Sequence, residues 1–187
     1  AFLIPISLVL SVTDTSIIFI IPIPPTTSEI VAMLPRISIM ISVTLPTIES
    51  IDSCVNNIYL SSVCGRYYAL DENKDYKRTK VYYNLLMDSQ GVDSSNLSRV
   101  IEMCYEKKLS DEYLPPLKTS NYKSIEEKDV LLILNYSKSN QIQFINALCN
   151  KDFIEFNTLE KEIKVYSLYE IDKTVHKNYF FELEEYK

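Results

Sequence analysis

Apolar and polar side chains alternate cleanly over residues 37–45, where Ile37, Ile39, Ile41, Val43 and Leu45 interleave with Ser38, Met40, Ser42 and Thr44. A period of two in β-branched residues predicts a half-buried strand. Residues 6–13 alternate in the same way, and residues 16–23 give a third strand candidate ended by Pro24 and Pro25. The period then changes. Val55, Ile58, Tyr59 and Val63 fall at helical spacing and predict a short helix within 51–70. The charged run 71–80 reads as a linker or the first turn of the next helix. Residues 81–90 predict that helix, with Val81, Tyr82, Leu85 and Leu86 on one side and Gly91 as its stop. A second helix, capped by Asp93 or Ser94, is expected to run to about Leu109 on Leu97, Val100, Ile101 and Cys104. The unbroken apolar run 130–136 predicts a strand buried on both faces. A helix over 140–149, capped by Ser137 or Ser139, strands over 153–156 and 163–169, and a helix over 174–186 complete the pattern.

The order predicts an α+β fold, with a helix pair followed by a small β-α-β-β unit and a β-prone N-terminal segment. Three regions follow: a hydrophobic segment 1–51, a helical region 52–128 and a small α+β region 129–187. Composition sharpens the first boundary. No lysine precedes Lys74, and six of the eight prolines lie within the first 46 residues. Such a lysine-free Ile/Ser/Thr/Pro stretch is either added β-structure or a non-native extension. Its apolar runs are interrupted by Asp14 and by Pro22, Pro24 and Pro25, which argues against a spanning helix of about 20 residues, so no membrane association is expected. No basic residue opens the chain and no small-residue cleavage signal follows, which weakens a secretory leader.

The formal charge is −6 and no segment is strongly basic, which weighs against nucleic-acid binding by the whole surface. Gly65 and Gly91 are the only glycines, too few for a phosphate-cradling loop or a dinucleotide fingerprint. Cys54, Cys64, Cys104 and Cys149 lack metal-ligand spacing and read as buried thiols of a reducing, cytoplasmic compartment, with a Cys54–Cys64 disulfide as the alternative. No metal and no cofactor are expected. His176 reads as surface, and no set of catalytic residue types converges, so the chain leans away from an enzyme.

The stretch Gly91-Val92-Asp93-Ser94-Ser95-Asn96-Leu97-Ser98-Arg99-Val100-Ile101 resembles the turn and recognition helix of a helix-turn-helix, most closely that of the lac repressor family. The glycine would allow the turn, Val92 would pack it, and Leu97 with Val100 or Ile101 would face inward. The resemblance implies a DNA-binding transcriptional regulator: Ser94, Ser95 and Arg99 would enter the major groove of duplex DNA and Ser98 would touch phosphate. Lys77, Arg78 and Lys80 could neutralise backbone phosphates nearby. Met87 and Gln90 depart from the small residues usual in the family. The alternative is a non-enzymatic interaction module whose acidic, tyrosine-rich C-terminal face (Tyr166, Tyr169, Tyr179, Tyr186) binds a protein partner.

Overall fold

The computed structural model describes residues 15–21, 37–42, 59–120, 122–127, 129–135 and 137–181, with only the backbone described for 15–21, 37–42 and 59–60. Eight strands among these residues form one mixed sheet: β1 (Thr15–Ile21), β2 (Ile37–Ser42), β3 (Tyr59–Gly65), β4 (Val92–Ser94), β5 (Leu117–Thr119), β6 (Val130–Leu134), β7 (Lys164–Tyr169) and β8 (Tyr179–Phe181). Their order is β4-β5-β3-β1-β2-β6-β7-β8. Strands β2, β6, β7 and β8 run parallel, while β1 is antiparallel to both β2 and β3. Both described strands of the lysine-free segment therefore lie inside the sheet, between strands from later in the chain. The helices are α1 (Arg66–Ala69), α2 (Tyr76–Asp88), α3 (Leu97–Glu106) and α4 (Ile142–Cys149), with a 3-10 turn at Asp111–Tyr113. The α+β reading holds. The expected strand at 6–13 lies outside the described residues.

Helix α2 supplies much of the core. Tyr82, Tyr83, Leu85, Leu86 and Met87 are all buried, a wider stripe than the one-sided pattern predicted. They meet Leu131 and Ile133 of β6, Val165 of β7, and Phe144 and Ile145 of α4. The Tyr82 and Phe144 rings lie 5.0 Å apart. Each fully buried aliphatic side chain here contributes roughly 1.5–3 kcal/mol of burial. Burial along β6 alternates, with Leu131 and Ile133 inaccessible and their neighbours half-buried. Its two faces are therefore unequal, not equally buried as the unbroken apolar run suggested.

Asp75 caps α2, its side chain accepting from the Lys77 N–H. At the other end Ser89, not Gly91, takes the left-handed conformation, with φ of 55°. Gly91 serves close approach instead: a Cβ there would lie 2.8 Å from Leu85 Cδ1 and 3.0 Å from the Pro116 oxygen. Two lysines bind the carbonyls at this end. Lys161 donates to the Met87 and Ile125 oxygens at 2.6 and 2.8 Å, and Lys118 donates to the Ser89 oxygen at 2.6 Å. Cations suit a helix C-terminus because its partial charge is negative.

Several expected elements differ. Residues 59–65 form a strand, not a helix, because β3 must pair with β1 and β5. Residues 153–156 form an irregular stretch with a bend at 155–156 rather than a strand, and β8 occupies part of the stretch expected to be a C-terminal helix. Asn96, not Asp93 or Ser94, caps α3 by accepting from the Arg99 N–H at 2.9 Å. Neither Ser137 nor Ser139 caps α4, whose first turn has no side-chain cap. Among the described residues no helix is long and apolar enough to cross a membrane.

Candidate functional site

Gly65, Ser42, Leu134 and Tyr169 end four parallel-directed strands at one edge of the sheet. Ligands of open α/β sheets gather in the crevice outside such carboxyl ends. Here that edge is built by α1 and the 70–75 loop, the 137–141 loop leading into α4, and the 170–173 turn.

At the end of β3 only a glycine fits. A Cβ on Gly65 would sit 2.3 Å from the Glu112 oxygen and 2.7 Å from that of Asp111, because the 3-10 turn crosses directly over it. Its N–H donates to Leu114 at 2.9 Å. The crossing brings Glu112 within 3.5 Å of the next side chain, Arg66, which is 45% exposed. Tyr67 follows, with its ring 5.1 Å from Tyr68 and 5.0 Å from Tyr113. The Arg78 guanidinium lies over its face at 4.0 Å.

Arg78 belongs to a buried polar network. It donates to Asp71 Oδ1 at 3.0 Å, and its Nε is 3.1 Å from Asp75 Oδ2, an ion pair not aligned as a hydrogen bond. Asp71 also accepts from the N–H groups of Asn73 and Asp75, and from Gln143 Nε2 at 2.8 Å. The same Gln143 nitrogen donates to the Asp71 carbonyl at 2.6 Å, while its oxygen accepts from the Thr79 hydroxyl. Burial alone would raise the Asp71 carboxyl. The Gln143 and Asp75 hydrogen bonds and the Arg78 charge outweigh it and hold the pKa below the usual carboxylate range.

Across the crevice, Gln141 is buried and donates to the Asn135 and Ser137 carbonyls. Its amide oxygen is buried without a partner. Ser139 reaches across to Glu72 at 3.2 Å. Lys138 and Lys173 both face Glu170. The edge thus offers guanidinium, hydroxyl and amide groups, yet each of Arg66, Arg78, Lys138 and Lys173 already faces a carboxylate. It is charge-balanced rather than basic.

The predicted DNA-binding residues do not assemble. Val92, expected in the turn, and Asp93 and Ser94, expected to cap the second helix, form a strand paired in parallel with β5, and Val92 is 52% exposed instead of packing the turn. Helix α3 packs on β5, whereas α2 packs on α1 and α4, so the two helices are not one unit. Ser94 is buried and its hydroxyl accepts from the Asn96 N–H. Ser95 and Ser98 are exposed, and Arg99 pairs with Glu102 at 3.2 Å. Arg78 is taken into the Asp71 network. Lys77 and Lys80 come together elsewhere, lining a cleft of about 520 Å³ with Lys74, Asp75, Tyr76, Glu155, Phe156 and Asn157.

Other readings also change. His176 is buried, with Nε2 3.1 Å from the Val165 oxygen. Cys64 and Cys104 are buried free thiols and Cys149 is half-buried, while Cys54 lies outside the described residues. Asp71 and Gln143 were not singled out from the sequence. One sits inside a charged run and the other inside an amphipathic helix, and nothing local marks their pairing.

Residues 42–183 match the protein-family model described as the BPG-independent PGAM N-terminus. A 2,3-bisphosphoglycerate-independent phosphoglycerate mutase of Campylobacter jejuni is 31% identical over 104 residues, which is 55% of this chain and 21% of the relative. The enzyme of the same name from Flavobacterium psychrophilum is 30% identical over 137 residues, 70% of this chain and 27% of the relative. A crystal structure of Leishmania mexicana phosphoglycerate mutase, solved at low cobalt concentration, superposes with a TM-score of 0.52 at 18% identity, over 61% of this chain and 23% of that one. The chain thus spans about a fifth to a quarter of these proteins. The matches overturn the likeness to the lac repressor family, the transcriptional-regulator reading, the non-enzymatic interaction module and the lean away from an enzyme.

Proposed function

Since the chain belongs to the family of BPG-independent phosphoglycerate mutase N-terminal regions, we propose that it works as one lobe of such a mutase and helps to hold a phosphorylated glycerate at the carboxyl edge of its sheet. A mutase of this kind moves a phosphoryl group between two hydroxyls of glycerate without a bisphosphorylated cofactor. Catalysis of that sort depends on positioning and on charge stabilisation of the moving group. The observation that carries the reading is the Arg66-Tyr67-Arg78 cluster at that edge. Guanidinium groups pair bidentately with phosphate and carboxylate alike. Arg66 is the exposed member and would meet the ligand. Arg78, fixed by Asp71, Asp75 and the Tyr67 ring, would add field and rigidity. Groups that carry the phosphoryl itself would come from the remaining length of the protein. Multiply charged phosphorylated acids do not pass a bilayer unaided, so the reading keeps the expected cytoplasmic location.

The test is titration of 3-phosphoglycerate into the isotope-labelled chain, followed by NMR shifts at residues 65–72 and 135–141, with Arg66→Gln beside the wild type. Loss of one charge-assisted contact should weaken binding about tenfold. Unchanged affinity in Arg66→Gln, or no saturable shift at this edge, would remove the assignment. Interconversion of 2- and 3-phosphoglycerate by the protein containing the remaining length, slowed by the same substitution, would extend the result to turnover.

A further inference from the structure

The carboxyl edge has its cations paired; the cleft beside the 71–75 loop does not. Lys74, Lys77 and Lys80 line it together, and none of the three forms an ion pair among the described residues. The protein as a whole is acidic, at −6, yet three ammonium groups meet in this cleft against two carboxylates, those of Asp75 and Glu155. Lys77 and Lys80 are one turn apart on α2, where like charges repel by a few tenths of a kcal/mol. The Asp75 carboxylate caps this 13-residue helix by accepting from the Lys77 N–H and offsets its positive end, so the lysines supply the positive charge of the cleft.

The cleft is also built. Asp71, with its side chain only 1% exposed, accepts from the N–H groups of Asn73 and Asp75 on either side of residue 74. Between those two anchors Lys74 is held at φ of 60°, a left-handed conformation that a lysine adopts only under constraint. The opposite wall is mixed, formed by Glu155, Phe156 and Asn157. Phe156 packs on Phe153 and Tyr83, and Tyr76 packs on Phe153. Tyr76 also lines the cleft, and its phenol, protonated at neutral pH, is a hydrogen-bond donor.

We infer that Lys74, Lys77 and Lys80, with the Tyr76 hydroxyl, form an anion site for a compact phosphate-bearing molecule, separate from the carboxyl edge. The volume of about 520 Å³ suits a small phosphorylated acid or a phosphate ion with its water. Three ammonium groups around one dianion match a charge that a single lysine would leave uncompensated, and lysine binds phosphate as a point charge without demanding one orientation. Glu155, on the rim, opposes the anion and limits affinity. Asp75 opposes it less, because its carboxylate also faces Arg78.

The experiment is NMR titration of the whole chain with inorganic phosphate and, separately, with 3-phosphoglycerate at fixed ionic strength, reading residues 74–80 and 155–157. The variants are Lys77→Gln/Lys80→Gln, Glu155→Gln and Arg66→Gln. The inference expects saturable shifts with phosphate, weakened about tenfold or more in the double lysine variant, strengthened two- to threefold in Glu155→Gln and unchanged in Arg66→Gln. All substituted side chains are exposed, so the fold should persist, and unchanged circular dichroism verifies it. Tighter binding of 3-phosphoglycerate than of phosphate at these residues would identify a phosphorylated acid as the source of the anion. Equal or weaker binding would identify free phosphate; both support the site. Absence of saturable shifts here with either anion, or an affinity untouched by the double lysine variant, overturns it. Because Arg66→Gln reports on the carboxyl edge alone, failure of that assignment leaves this result readable.

Discussion

Replacing Asp71 by alanine should be among the most damaging single changes outside the apolar core. The carboxylate is inaccessible and accepts from the Asn73 and Asp75 N–H groups, Arg78 and Gln143. Removing one partner of a buried ion pair costs about 3–5 kcal/mol, because the other charge is stranded. Here Arg78 is 27% exposed and keeps Asp75 and the Tyr67 ring, so the charge term shrinks. Two backbone N–H groups and one amide N–H nevertheless lose their acceptor, at about 1 kcal/mol each where water cannot replace it. The expected loss is therefore about 3 kcal/mol. Asp71→Asn keeps the shape but not the charge and should lose about 2 kcal/mol. Urea unfolding would show both as a lowered midpoint with unchanged slope. The pH dependence gives an independent check. The folded pKa of Asp71 lies below its unfolded value of about 3.9, so the unfolded chain binds the extra proton between the two. The stabilisation is complete above about pH 5 and is lost as pH falls through the folded pKa. The difference between wild type and Asp71→Asn should shrink correspondingly in acid. A loss under 0.5 kcal/mol at pH 7, or a difference that does not change with acidification, would refute the reasoning.

Two further outcomes can be measured in the same way. Gly65→Ala should destabilise by about 2–4 kcal/mol, since the new methyl meets backbone oxygens of the 3-10 turn that cannot swing aside as a side chain could; a soluble variant with wild-type midpoint would show that the turn lifts freely. Burial lowers the His176 pKa despite its bond to the Val165 oxygen, so the unfolded state binds its proton first. Stability should decline as pH drops below about 6.5, and His176→Gln should remove that step from a plot of urea midpoint against pH between 7.5 and 5.5.

The sequence pattern was most informative where burial and hydrogen bonding repeat locally. Alternation over 37–45 located β2, the apolar run at 130–136 located β6, and the Ile142-Ile145-Leu148 spacing located α4. It failed where tertiary pairing overrode spacing. Val55, Ile58, Tyr59 and Val63 imitate a helix, yet residues 59–65 lie between two other strands, with Ser61 and Ser62 buried as polar side chains. The helix-turn-helix likeness rested on residue types in about twenty positions. It could not register that Val92–Ser94 is tied to β5, many residues further on. Asp71 and Gln143 stayed invisible for the same reason: the bond joining them spans 72 positions, and each end looks ordinary among its neighbours. Lys77, Arg78 and Lys80 were noticed as cations, but helix geometry sends Arg78 to one side and the two lysines to the other.

The placing of β2 has a consequence for the protein during its synthesis. Ile37–Ser42 pairs on one flank with β1, which precedes it, and on the other with Val130–Leu134, which the ribosome has yet to make. At roughly 5–20 residues per second, that second flank stays open for several seconds. For this interval an Ile-rich ribbon presents unpaired N–H and C=O groups to the cell, the arrangement most prone to pairing with another chain. Yield in a cell should therefore follow how fast the stretch up to β6 is translated. Synonymous changes that slow the ribosome between codons 43 and 130 should divert nascent protein into aggregates while leaving the finished, purified protein unchanged in stability.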